Sequence, residues 1–190
     1  MRKTLLVMAA LLASIVASAE TDGERTGWRG KGYAGFVDIG GIAGGEEILG
    51  GGIFSLTTTH GFQFKRCLFL GLGTGIEMWS GTEHKVSGDV DYDLTFVPIY
   101  AAARWNIIKR RLTPFVTMRL GGAMVDGVSE YHDEFTQYIN MGVGFSAILK
   151  GDFGLNFSLG YDYKRVDSEN EHKSPTLEFR GVGVKVGLEF

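Results

Sequence analysis

The sequence predicts an all-β protein: an eight-stranded antiparallel up-and-down transmembrane β-barrel, preceded by a cleaved signal peptide. Three observations support this prediction. Apolar and small or polar residues alternate over eight long segments, and no window shows a convincing helical period. The connections between these segments alternate between short and long. Gly makes up 29 of the 190 residues, roughly twice the usual share of ~7%.

The amino terminus has the order of a secretory signal peptide. Two basic residues precede an apolar run over residues 5–16, and small residues follow it. The run is too short to cross a bilayer as a helix, which takes about 20 residues. We expect three parts: a signal peptide over residues 1–19, a short periplasmic segment over residues 20–30, and an outer-membrane barrel domain over residues 31–190.

Charge and motif content exclude several classes of function. The whole chain has a net charge of −3, and loss of the two basic residues of the signal peptide makes it more negative. A nucleic-acid partner would require a basic stripe, which the sequence lacks. Cys67 is the only cysteine, so no intrachain disulfide can form. No HExxH, GxSxG or CxxC motif occurs, and we expect no cofactor.

The eight alternating segments are long enough to cross a membrane as strands. A segment of ~12 residues at ~3.3 Å per residue, tilted by ~40°, reaches roughly 30 Å, and the apolar band of an outer membrane is ~25 Å tall. The segments are residues 31–43, 51–62, 67–79, 94–107, 112–125, 135–150, 153–164 and 176–190.

The lengths of the connections indicate which end of the barrel faces outward. "IKRR" and "KGD" are short, whereas "SGTEHKVSGDVDYD", "DGVSEYHDE" and "RVDSENEHKS" are longer and polar. Short periplasmic turns and longer external loops, with an even number of strands, are typical of transmembrane barrels. The chain therefore begins and ends its barrel on the periplasmic side.

The alternation predicts which face meets lipid. In the seventh segment, Phe153, Leu155 and Phe157 share one face, and Asn156, Ser158 and Asp162 belong to the other. A soluble barrel would point the apolar face inward and leave a solvated exterior. Here the second face is rich in Gly, which suits a narrow lumen better than a wet exterior.

Charged residues with lumen parity predict a filled interior. The interior of an eight-stranded barrel is just wide enough for side chains to fill it, and buried charges need partners. We expect a plugged, hydrogen-bonded network without an open channel. For Asp38 and Glu189 a position at the water-filled rims fits the pattern about equally well. The predicted network consists of Asp38, Glu77, Arg104, Arg119, Asn140, Asn156, Lys185 and Glu189.

The chain resembles the small outer-membrane β-barrel proteins of the OmpA/OmpX-like class, in particular the Gly-rich barrels of Bacteroidota-type Gram-negative bacteria. The signal segment, "GYAGFVDIG", "LFLGLGTGIE", "VPIYAAARWN", "LTPFVTMRLGG" and the final "GVGVKVGLEF" carry the resemblance. It implies an outer-membrane location and insertion by the outer-membrane assembly machinery. The last strand, with Val184, Val186, Leu188 and the terminal Phe190, is similar to the signal which that machinery selects.

Three histidines in predicted external loops form the remaining candidate site. His84, His132 and His172 each have an acidic neighbour, and His with carboxylates can bind zinc. Barrel enzymes that modify lipid A also use rim His, Ser and carboxylates. A hydrated polar loop surface explains the same residues. We therefore expect a non-enzymatic structural or interaction role at the cell surface, in which the loops could take an external ligand. A rim-site lipid A-modifying enzyme and a loop metal binder are the alternatives.

Overall fold

The computed structural model confirms an eight-stranded, closed, antiparallel barrel in which each strand pairs with its neighbours along the chain. It describes residues 32–43, 50–64, 67–85, 88–107, 112–126, 135–150, 153–166 and 177–190. The predicted signal peptide and the segment over residues 20–30 lie outside this part of the chain. The strands are β1 (Gly32–Ala43), β2 (Gly50–Phe64), β3 (Leu68–Lys85), β4 (Gly88–Asn106), β5 (Leu112–Asp126), β6 (Phe135–Lys150), β7 (Phe153–Val166) and β8 (Leu177–Glu189).

The barrel closes between its first and last strands. β1 and β8 pair antiparallel from Phe36 opposite Glu189 to Ala43 opposite Val182. Phe190 extends this seam, because its backbone N–H donates to Gly35 O at 3.0 Å and its carbonyl accepts from Gly35 N at 2.7 Å. Closure leaves no free strand edge along the paired part of the seam. Among the described residues, no helix is long and apolar enough to span a membrane.

The β3–β4 connection differs from the prediction. The sequence analysis treated residues 80–93 as one long polar loop, but β3 continues to Lys85 and β4 begins at Gly88. The two strands stay paired up to Lys85 opposite Gly88. The apolar alternation ends before the strands do, because the backbone ladder does not require apolar side chains and continues as a hairpin.

The two faces of the wall carry opposite chemistry, in the orientation that the alternation predicts. Leu72 is 71% exposed, Phe157 is 50% exposed and Val184 is 43% exposed on the outer face, whereas Arg119 and Glu77 are buried inside. A soluble barrel would bury the first set and expose the second. The outer wall is therefore an apolar surface wrapped around a charged interior.

Candidate functional site

Among the side chains that the structure describes, the interior of the barrel contains equal numbers of buried acids and bases. Because four carboxylates face four cations, these described interior side chains carry no net formal charge together, which favours the retention of charges away from water. The acids are Asp38, Glu77, Asp162 and Glu189, and the bases are Arg104, Arg119, Lys164 and Lys185.

Glu77 on β3 lies at the centre of the largest charged cluster. Its Oε2 lies 2.6 Å from Lys164 Nζ, and its Oε1 lies 3.8 Å from Lys185 Nζ. The hydroxyls of Ser55 and Tyr138 donate to Oε1 at 3.0 and 3.4 Å. Glu77 is fully buried, so this carboxylate depends on protein groups in place of water.

Asp38 on β1 and Arg119 on β5 form a second pair. Arg119 Nη2 lies 2.5 Å from Asp38 Oδ2, and Arg119 Nη1 donates to Thr57 Oγ1 at 3.3 Å. The guanidinium also lies over the Tyr100 ring, 5.4 Å from its centroid. Asp38 is only 3% exposed, so the structure places it inside the barrel. The sequence alone had also allowed a position at the rim.

Arg104 on β4 and Glu189 on β8 form a third pair nearer the end of the barrel that holds both chain termini. Arg104 Nη2 lies 3.3 Å from Glu189 Oε2, which also accepts a hydrogen bond from Ser146 at 2.6 Å. The guanidinium stacks on the Phe115 ring, 3.6 Å from its centroid. Glu189 is also buried, at 6% exposure, so the structure places it inside the barrel as well.

The three pairs cross the lumen. Asp38 and Arg119 join β1 to β5, Lys164 and Glu77 join β7 to β3, and Arg104 and Glu189 join β4 to β8. In a ring of eight strands, each of these partners is four strands away, which is diametrically opposite. The ion pairs therefore connect opposite sides of the barrel across the lumen.

Asp162 and Lys164 on β7 were not among the predicted network residues. Both have the lumen parity of Asn156 on the same strand, so the alternation could have identified them. Lys185 Nζ lies 3.8 Å from Asp162 Oδ1, so Asp162 extends the Glu77 cluster. The sequence analysis placed Asp162 on the inner face but did not include it in the network, and it took Lys164 as the end of a strand that in fact continues to Val166.

Asn140 and Asn156 are buried inside the barrel but belong to its least filled part. Two small cavities of about 20 and about 10 Å³ lie beside Arg119, the first lined by Asn156 and the second by Asn140. The amide nitrogen of Asn156 has no hydrogen-bond partner among the described residues. Each of these two cavities has room for about one water molecule.

An apolar cluster occupies the lumen at the end that bears the longer connections. The sequence analysis described the inner face as small and polar and missed this cluster. The signal was present, since Trp79 has the same parity as Glu77, and Phe96 has the same parity as Arg104. Phe179 packs edge-on against the rings of Trp79 and Phe96, at centroid distances of 5.3 and 5.4 Å. The cluster contains Ile42, Ile53, Trp79, Leu94, Phe96, Ala123, Val125 and Phe179.

The closing strand has the arrangement that its alternation predicts. Val184, Val186 and Leu188 are exposed on the outer face, and Lys185 is buried inside. The Phe190 ring packs over Gly35, where any side chain would collide with it, and meets His60 edge-on at 6.1 Å. His60 also hydrogen-bonds to Tyr33 and Thr58. The last residue is thus part of an aromatic and polar cluster at the seam.

Of the three candidate histidines, only His84 lies in the part of the chain that the structure describes. The structure places the backbone of His84 within β3, opposite Asp89, and not in a loop. His132 and His172 lie outside the described residues. Within the described strands, no group of three or more His, Cys, Asp or Glu residues could hold a metal ion.

Solved structures with the same fold are outer-membrane barrels. OprG from Pseudomonas aeruginosa superposes with a TM-score of 0.55 and 9% identity, over 84% of this chain and 96% of that chain. Neisserial surface protein A gives a TM-score of 0.56 and 15% identity, over 85% and 98%. The outer membrane protein AlkL, solved in lipid bilayers, gives 0.50 and 14%, over 90% and 94%.

At these identities the likeness shows the fold alone. No family model and no curated protein matches the chain. The fold is that of the small outer-membrane barrels, in agreement with the OmpA/OmpX-like class that the sequence resembles.

Proposed function

We propose that this protein is an integral outer-membrane barrel of a Gram-negative bacterium with a closed interior and a non-enzymatic structural or interaction role at the cell surface. The observation that carries the proposal is that the described wall has apolar side chains on its outer face, and four buried acids balanced by four buried bases on its inner face. Only a lipid solvent makes this arrangement favourable, because in lipid all polar groups must find partners within the protein. The chain termini of the barrel would face the periplasm.

The filled interior supports a role other than that of an open pore. The apolar cluster occupies one end of the lumen, and the stacked Arg104–Phe115 pair lies toward the other. An ion on this path would have to displace side chains at both levels. The connections at the Trp79 end would then be the part of the protein available to an external ligand.

Planar-bilayer recording tests the closed interior. We expect protein refolded into lipid to insert, as judged by a folded band on an unheated gel, and to give no stable, large conductance. The heat-unfolded sample is the control for adventitious leakage. Stable large steps from the folded sample would contradict a plugged lumen.

Mass spectrometry of lipid A tests the non-enzymatic role. Lipid A from cells with and without the protein is expected to have the same masses. A mass change that requires the protein, and that is lost when His84, His132 and His172 are all replaced by Ala, would support the rim enzyme instead. The same triple variant is the control in a calorimetric zinc titration. We expect no heat of zinc binding from either the unmodified protein or the variant.

Deletion of Phe190 is expected to slow assembly more than it lowers the stability of barrels already inserted. The residue contributes one half-buried ring and two backbone hydrogen bonds at the seam. Full burial of an aromatic side chain contributes only ~1.5–3 kcal/mol. The similarity of the last strand to an assembly signal implies a larger effect on insertion in cells.

Two measurements separate these effects: the folded-band fraction in cells and the urea midpoint of protein refolded in vesicles. Phe190→Tyr keeps the ring and serves as the matched control. Normal insertion of the deletion variant in cells would argue against a signal role for Phe190.

A further inference from the structure

The outer wall changes from apolar to charged over three successive rows on β6, β7 and β8, at the end that bears the longer connections. Cross-strand pairing places these residues at common levels. The first row is apolar and aromatic, the second contains one Arg, and the third is wholly polar. The rows are Met141–Tyr161–Val182, Ile139–Tyr163–Arg180 and Gln137–Arg165–Glu178.

The only outward-facing Lys or Arg side chains that the structure describes lie in these rows. Six such side chains are described, of which Arg104, Arg119, Lys164 and Lys185 are buried in the lumen. Arg165 and Arg180 are exposed on the outer face. They lie on neighbouring strands in adjacent rows, just beyond the last apolar row, so the positive charge of the described outer wall is concentrated at one place.

Neighbouring side chains hold Arg180 against the wall. Its guanidinium forms an ion pair with Glu178 and lies over the Tyr163 ring, 5.6 Å from the ring centroid. The Tyr163 hydroxyl donates to Glu178 Oε1 at 3.3 Å. The Arg180 side chain is nevertheless 54% exposed, so N–H donors remain available on its outer side.

We propose that Arg165 and Arg180 form a binding site for the phosphorylated headgroup of a lipid in the leaflet nearest the longer connections. This inference rests on the proposed membrane location. A guanidinium matches phosphate oxygens with two parallel N–H donors, which is why Arg is common at phosphate sites. The level is also suitable, since aromatic residues mark the membrane interface and headgroups lie just beyond it.

Two further charges define the site. Glu178 competes with the phosphate for Arg180, so the carboxylate limits the affinity. On β5, the strand next to β6 and two strands from β7, the exposed Asp126 ends the strand at the same end of the barrel. A phosphate is therefore attracted to the β7–β8 wall and repelled from the β5 border, which makes one localised site and not a uniform ring.

Electron paramagnetic resonance with spin-labelled lipids tests the proposal. The protein is refolded into phosphatidylcholine vesicles that contain a trace of spin-labelled phosphatidic acid or spin-labelled phosphatidylcholine. We expect the motionally restricted fraction to show a preference for phosphatidic acid of about fivefold, as one basic residue near a membrane surface typically provides. The double variant Arg165→Gln/Arg180→Gln is expected to lose most of it.

Glu178→Gln is expected to change the preference for phosphatidic acid in the opposite direction. Removal of the competing carboxylate is expected to raise the preference above that of the unmodified protein. An unchanged preference in the double variant, or a lower one in Glu178→Gln, would overturn the assignment. The folded band of protein refolded in pure phosphatidylcholine separates the membrane location from the lipid site. Failure to insert contradicts the membrane location, whereas insertion without any lipid preference contradicts only the lipid site.

Discussion

Replacement of Glu77 by Gln is expected to lower the free energy of unfolding by about 3–5 kcal/mol, the usual cost of removing one partner from a buried ion pair. Glu77 is fully buried and lies within 4 Å of two lysines, Lys164 and Lys185. Gln has nearly the same shape, so the loss reflects charge and not packing. The urea midpoint in lipid vesicles, followed by an unheated gel, measures the change.

Two matched variants show whether the loss of charge balance is responsible for the lower stability of Glu77→Gln. Adding Lys164→Met to Glu77→Gln removes one uncompensated cation, and we expect it to restore part of the lost stability. Glu178→Gln breaks an ion pair on the exposed outer wall, where solvent screening leaves such pairs little effect. If Glu77→Gln behaved like Glu178→Gln, the central cluster would not contribute to stability as described here.

Val184→Lys is expected to lower the free energy of unfolding by about 2–4 kcal/mol, the cost of a lysine on the lipid face near the bilayer midplane. Val184 is exposed on the outer wall and pairs with Gly41 on one side and Leu159 on the other. In the proposed membrane location, Val184 would therefore lie well inside the apolar band. Unfolding by urea in vesicles of defined thickness gives the value.

The control for this variant is Val184→Thr, which has nearly the same volume and no charge and should cost much less. Gln137→Lys places the same cation in the polar third row of the neighbouring wall and should be tolerated. A barrel that accepted Val184→Lys without loss would have its faces oriented the other way. The chain would then be a soluble barrel or sandwich with an amphipathic strand.

The faces of the strands could be predicted from the sequence because side-chain alternation is a local property. Each residue of β7 from Phe153 to Asp162 lies on the face that its parity assigns. Pairing across the lumen is not local. It depends on the stagger of eight strands, so the sequence could place Asp38 and Arg119 inside but could not identify them as partners.

The errors share one physical cause, which is that residue polarity was used as a measure of position. The polar residues 80–93 were assigned to a loop, although they continue the β3–β4 ladder. The large apolar residues Trp79, Phe96 and Phe179 were not considered as lumen residues, although they have lumen parity and pack together there. Parity proved a better guide than polarity at both places.

The diametric arrangement of the ion pairs has a consequence for how the protein reaches its native state. Asp38, Glu77 and Arg104 lie on the first four strands, and their partners Arg119, Lys164 and Glu189 lie on the last four. Neither half of the chain can neutralise these charges within itself. In the proposed membrane setting, β1, β3, β4 or β5 entering the bilayer alone would carry an uncompensated described ion into lipid, at a cost of several kcal/mol per ion. If the barrel spans the outer membrane as proposed, its two halves must come together before or while it inserts, and separately expressed halves should be stable in lipid only as a recombined pair.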